Sequence, residues 1–175
     1  MDPVSQGVVG AAFAQTAARS AQLATVAWYG ALGGMAPDLD VLFQSPTDPL
    51  LFLEFHRQFT HSLVFIPFGA LLVFLVLRAI AARVSLLQGL TTARGYLACL
   101  MGYATHGLLD ACTSYGTQLL WPFSDARIAW DTMSIVDPLF TLPLLVFVIA
   151  ASRSKRQWLV WCASAWMLGF FVLGW

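Results

Sequence analysis

Apolar residues in this chain come in long uncharged runs at 20–37, 58–77, 95–109, 138–152 and 157–175, separated by short polar connections. Their length, their Ala and Leu content and the lack of period-two alternation predict helices rather than strands. The expected helices lie at about 4–18, 21–36, 61–80, 94–113, 135–151 and 157–175. Several of the runs approach the ~20 residues that a helix needs to cross a hydrocarbon core, and the shorter ones are borderline spans. Pro67, Pro138 and Pro143 are expected to start or bend helices, which membrane helices tolerate when neighbours satisfy the freed carbonyls.

Composition strengthens the membrane reading. Hydrophobic residues make up 59% of the 175 and charged residues only 10%, with a mean hydropathy of +0.74, against roughly 25% charged in soluble domains. The expectation is one all-α, polytopic helical membrane domain over 1–175 with about five to six membrane-embedded helices. Met1–Gly10 has an Asp and no basic n-region, so a retained N-terminus is expected rather than a cleaved signal peptide. Cys99, Cys112 and Cys162 have no paired spacing and read as small core residues. Net charge is zero, and the absence of a basic stripe argues against a nucleic-acid partner; membrane lipids are the partners to expect, and the sequence leaves the oligomeric state open.

The charges are unevenly placed. Alternating the helices across a bilayer puts Arg19, Arg78, Arg83, Arg94, Arg153, Lys155 and Arg156 on one side, seven of the nine basic residues. The positive-inside rule makes that side cytoplasmic. The other side receives all nine acidic residues, Asp2, Asp38, Asp40, Asp48, Glu54, Asp110, Asp125, Asp131 and Asp137, and also His56, His61 and His106. Topology rules constrain Lys and Arg and say little of Asp or His, so this segregation favours a shared site on the non-cytoplasmic face.

Four motifs at span ends could build it: PDLD (37–40), HRQFTHS (56–62), HGLLD (106–110) and WDTMSIVDP (130–138). His106 and Asp110 share one helix face, a spacing suited either to one cation or to a hydrogen-bonded His–Asp pair. On a continuous helix His56 and His61 would diverge by roughly 140°. A break is therefore expected, with Thr60 as N-cap, His61 in the first turn of a span and His56 on the preceding loop. Asp38 and Asp40 repel unless a cation or protons neutralise them, or they cap a helix end in an exit loop. Asp137, just before Pro138, could instead simply favour a helix dipole. Carboxylates mixed with imidazoles, and no thiolate, suit Zn²⁺, Mn²⁺ or Fe²⁺. The donors outnumber what one four-coordinate ion requires, which points to a multinuclear site or to carboxylates in supporting roles.

Taken in order, GGMAPDLDVL, EFHRQFTHSLVF, YATHGLLDACTSYGTQLLWPFS and WDTMSIVDPLF resemble the YdjM-like family of membrane-bound metal-dependent hydrolases over about residues 1–150. That family is grouped with zinc-dependent phospholipases C and nucleases, all-helical proteins that hold zinc through His, Asp and Glu. The resemblance implies Asp38, Asp40, His56, His61, His106 and Asp110 as ligands of a divalent ion, zinc first and manganese or iron after it. Many relatives have a histidine in the first few residues, where this chain has Gln6, able to coordinate weakly through its carbonyl or to orient a water. Relatives also run on past the last span, so a naturally short chain and one lacking a distal substrate-selecting domain are both open.

The activity expected from these readings is hydrolysis of a phosphoester, or of a small-molecule or lipid-like ester, in a bacterial inner membrane. The metal would lower the pKa of a bound water toward ~7. Arg57 would clamp a phosphate, or else pair with Glu54, while Asp131 or Asp137 would move the proton. Trp121, Phe123 and Trp130 read as headgroup-level aromatics beside a lateral substrate path. The rival is a metal-ion or proton-coupled transporter using the same His/Asp cluster. Few helices, no internal repeat and ligands at one face weigh against it, and a metal-stabilised scaffold without turnover fits the same ligands.

Overall fold

The computed structural model of the chain describes residues 1–42 and 56–174. Six helices follow the six expected apolar segments: α1 (Pro3–Thr16), α2 (Leu23–Met35), α3 (Ile66–Ala81), α4 (Thr92–Ala111), α5 (Pro138–Ser154) and α6 (Gln157–Gly174). Extended pairing among the described residues is limited to an isolated bridge between Thr117 and Ile128. Local chemistry sets the helix ends. Asp2 caps α1 by accepting from the Ser5 N–H at 3.0 Å, Thr91 caps α4, and Asp137 caps α5 by accepting from the Phe140 N–H at 3.0 Å. Prolines occupy the first turns of α1, α3 and α5, where no intrahelical N–H is needed. Lys155 ends α5 in the left-handed region at φ 56°, and α6 starts two residues later.

α3 begins at Ile66, later than expected, which places His61 in a separate 3₁₀ turn at Phe59–His61 rather than in the first turn of a span. The reason is the hydroxyl of Thr60. Instead of capping a helix it donates to Asp40 Oδ2 at 3.1 Å and sits 2.9 Å from His61 Nδ1, and Ser62 then turns to extended backbone.

The short helix α1 lies at the centre, buried along most of its length, against α2, α4, α5 and α6. Its contact with α2, and that of α2 with α4, are backbone to backbone. A Cβ added at Gly10 would lie 2.4 Å from the Gly30 carbonyl oxygen, and one at Gly102 only 2.0 Å from the same atom. Close approach through small residues is how helices associate where lipid removes the hydrophobic drive between them. Phe140, Leu144 and Val148 of α5 complete one apolar core with Val8, Val9 and Ala12 of α1; Phe74 and Leu77 of α3 build a second with Tyr29 and Tyr103.

Contacts among the described residues bring the N-termini of α1, α3 and α5 and the C-termini of α2, α4 and α6 to one end. Contacts that tie this end together include Asp2 N–H to Ile135 O at 3.0 Å and Ser5 Oγ to Thr141 Oγ1 at 2.5 Å. The opposite end holds Arg19, Arg83, Arg94 and the α5–α6 turn with Lys155 and Arg156, which agrees with the segregation read from the sequence.

Among the described residues one helix, α6, is long and apolar enough to cross a membrane, with 18 residues and a mean hydropathy of 1.4. α3 and α5 are apolar but have 16 and 17 residues. α1 and α2, with 14 and 13 residues, reach only about 20 Å at ~1.5 Å per residue, against a core of ~30 Å. Of the expected all-α bundle with about five to six membrane-embedded helices, the all-helical architecture is found, with a single clear span among the described residues. Polar site residues are the cause: they end the apolar stretches early in α2 and α3, and they put His106 and Asp110 inside α4, which is otherwise long enough at 20 residues.

Candidate metal centre

α4 carries His106 and Asp110 one turn apart, both wholly buried. The 3₁₀ segment Ala36–Leu42, which continues α2 directly, brings Asp38 and Asp40; the Phe59–His61 turn brings His61. Four ligand atoms, from Asp38, His61, His106 and Asp110, lie within 4.8 Å of one another. The Nε2 atoms of His61 and His106 are 2.9 Å apart. His61 Nε2 is 3.5 Å from Asp38 Oδ1 and 3.3 Å from Asp110 Oδ2, and His106 Nε2 is 3.3 Å and 3.5 Å from the same two oxygens. Tetrahedral ligands about 2.1 Å from one ion are separated by about 3.4 Å, so these atoms already stand close to the edges of such a polyhedron.

Hydrogen bonds around the cluster assign the imidazole tautomers. His106 Nδ1 lies 2.5 Å from the Gly34 carbonyl, which can only accept, so Nδ1 carries a proton. Thr60 gives its own proton to Asp40, so its oxygen accepts from His61 Nδ1, which also faces Asp40 Oδ2 at 3.4 Å. Both Nε2 atoms therefore face each other and two carboxylate oxygens, in a buried site where one oxygen, Asp110 Oδ2, has no hydrogen-bond partner among the described residues. A divalent cation at their centre would displace any proton held there and take one lone pair from each ring nitrogen and each carboxylate. The residues fit a metal of the imidazole and carboxylate class.

Of the six residues expected as ligands, four converge here, and Asp40 and His56 stand behind them. Asp40 Oδ2 accepts from the Arg57 N–H at 3.0 Å and from Thr60, and Oδ1 lies 2.9 Å from His56 Nδ1. Asp40 thereby orients His61 and His56 rather than adding to the four. Burial raises its pKa, but the hydrogen bond with His56, the charge of His61 and the Arg57 N–H together hold it below the usual carboxylate range. Asp38 shows the same balance: burial raises its pKa, and hydrogen bonding to His106 and His61 lowers it further than burial lifts it.

Arg57 adopts φ 61°, and its guanidinium turns inward. Nη1 reaches Thr113 Oγ1 at 3.3 Å and the Gly116 carbonyl at 3.4 Å, and Nε lies 3.4 Å from Asp110 Oδ2. Glu54, its other expected partner, lies outside the described residues, as does Asp48. Asp137 is taken up as the α5 cap, and Asp131 is exposed in the left-handed region at φ 52°. Neither joins the four-residue group. Gln6 is wholly buried and donates from Nε2 to Asp110 Oδ1 at 3.0 Å, and the Met1 amino group meets the same oxygen. Three supporting groups escape a reading by motif. Thr60 looks like a cap, Thr113 holds Arg57, and Tyr115 lies under two guanidiniums; the signal available for them is only their nearness to His61 and Asp110.

The family profile described as "YdjM inner membrane protein" matches residues 1–175. Among curated proteins the chain is similar to "Uncharacterized protein YfhP" of Bacillus subtilis (strain 168), 26% identical over 121 residues, which is 69% of this chain and 33% of that protein. The chain thus spans about a third of the length of that relative. No solved structure matches it.

Proposed function

Because the chain belongs to the YdjM family of inner membrane proteins, we propose that it is a membrane-embedded, metal-dependent hydrolase that cleaves a phosphoester or a lipid-like ester on the non-cytoplasmic side. The observation that carries this reading is the facing pair of His61 and His106 Nε2 atoms, whose Nδ1 atoms are engaged by Thr60 and the Gly34 carbonyl and which are flanked by Asp38 and Asp110. Embedding of the whole bundle is supported by its outer faces. Phe68, Leu72 and Val76 of α3, Leu139, Leu142 and Val146 of α5, and Leu168, Val172 and Leu173 of α6 are all exposed, apolar side chains that lipid would cover.

Asp38, His61, His106 and Asp110 would hold the divalent ion, zinc by donor chemistry. When bound, it supplies Lewis acidity to a water and to a phosphoryl oxygen. The protein supplies the rest. Asp38 is the partly exposed member of the four, so substrate approaches from its side. Asp40 fixes the His61 ring through Thr60, and it holds His56 at the rim, where that imidazole is placed to exchange a proton with the reacting groups. Arg57 balances the charge of Asp110.

The test is elemental analysis of the purified protein together with cleavage of a generic phosphodiester. Bound divalent metal and turnover, both lost in the His56→Ala/His61→Ala/His106→Ala variant, are the expected results. Metal content unchanged in that variant would remove the shared site and the proposal with it, and metal-dependent flux into proteoliposomes without cleavage would replace hydrolysis by transport.

A further inference from the structure

Two of the nine basic residues, Arg57 and Arg127, escape the segregation that collects the other seven at the opposite end of the bundle. The fold brings these two exceptions to one aromatic ring. The Arg57 guanidinium carbon lies 4.8 Å and that of Arg127 4.9 Å from the centroid of Tyr115, whose ring is in turn 6.3 Å from that of His56. His56 is 6.0 Å, ring to ring, from His61 of the metal centre.

The two arginines are differently placed. Arg57 is buried and its charge is met by Asp110. Arg127 is exposed, donates one hydrogen bond, from Nη2 to the His56 carbonyl at 3.3 Å, and has no carboxylate within 4.0 Å among the described residues. Arg57 is therefore committed to Asp110, whereas Arg127 stands at the rim facing solvent without a carboxylate partner among the described residues. Stacking on Tyr115 and the His56 carbonyl hold the planar fork in place with donors unused, the arrangement that suits a bidentate oxyanion.

We propose that Arg127, held on Tyr115, is the anion-recognition residue of this site, and that its ligand is a phosphate group. Resting on the hydrolase reading for its position, the proposal assigns phosphate recognition to the exposed Arg127 rather than to the buried Arg57.

Binding, not turnover, tests it, so the two readings fail separately. Zinc-loaded full-length protein in phosphatidylcholine nanodiscs is titrated with inorganic phosphate, and the zinc content of every sample is measured. Arg127→Ala is expected to bind phosphate about tenfold more weakly, as suits the loss of a charge-assisted contact, and Arg127→Lys less weakly than Arg127→Ala, with zinc retained. Arg153→Ala, at the far end of the bundle, should bind as wild type does. Competition by soluble glycerol phosphate would identify a free phosphate ligand, and competition only by phosphatidic acid in the disc a lipid headgroup. Wild-type phosphate affinity in zinc-loaded Arg127→Ala would overturn the proposal. Should that variant lose zinc, Arg127→Lys decides, and undiminished affinity there would overturn it equally. Weakened phosphate binding in a protein that hydrolyses nothing would retain Arg127 in this role and remove the hydrolase reading.

Discussion

Replacing Gly102 with alanine tests whether helix packing sets the metal geometry. The added Cβ would lie 2.0 Å from the Gly30 oxygen and 2.8 Å from its carbonyl carbon, both backbone atoms with no rotamer to yield. Carbon atoms approach such neighbours only beyond about 3.0 Å, so α4 must withdraw from α2 by roughly 1 Å in an interior packed too densely to absorb it. Gly102 is one turn before His106 on α4, and α2 leads directly into Asp38. Parting the two helices therefore separates His106 from Asp38 and from the Gly34 carbonyl that fixes its tautomer. Metal sites tolerate about 0.2 Å in ligand distance, and overpacking alone costs about 1–3 kcal/mol. The expected result is loss of most bound metal together with a lower thermal midpoint, measured by elemental analysis and by differential scanning fluorimetry in detergent. Gly169→Ala on α6, where an added Cβ meets nothing within 4 Å, is the control and should match wild type. A Gly102→Ala protein with full metal content and an unchanged midpoint would refute the argument that backbone contact between α2 and α4 positions the ligands.

Thr60→Val removes the link from Asp40 to His61 Nδ1 without touching a ligand atom; zinc affinity measured by chelator competition should fall about 10–100-fold. Zinc held by the folded cluster and not by the unfolded chain should, at about 1,000 times its dissociation constant, stabilise the fold by roughly 4 kcal/mol, and a thermal midpoint that does not move with zinc would contradict the site. Asp137→Ala should cost about 1 kcal/mol through its lost α5 cap and leave metal content and phosphodiester cleavage at wild-type levels; cleavage abolished in a folded, metal-loaded protein would restore Asp137 as a proton carrier. A cysteine introduced at exposed Asp125 of a cysteine-free protein should react with an impermeant maleimide from outside intact cells, and one at Lys155 only after lysis. The reverse pattern would place the site in the cytoplasm.

The helices were legible because apolar run length and flanking polar residues identify them without tertiary information, and all six expected segments are helical. The site was legible as a set of residue types at one end, since a buried His or Asp in an apolar helix is costly without a partner. Its internal order was not. Asp38 and Asp40 are two residues apart in one motif, yet Asp38 joins the four convergent donors while Asp40 turns to Thr60, His56 and the Arg57 N–H. That division depends on the 3₁₀ path of Ala36–Leu42 against the Phe59–His61 turn, a contact between segments whose register no local pattern states. Arg57 and Arg127 show the same limit. They are the two basic residues outside the seven gathered at the opposite end, and only the fold, by placing Tyr115 beside both and Asp110 beside one of them, separates a buried structural charge from one that faces outward. Sequence spacing reveals which chemistry is gathered at an end of the bundle; the assignment of each group to metal, support or substrate follows from which hydrogen bonds its neighbours have already claimed.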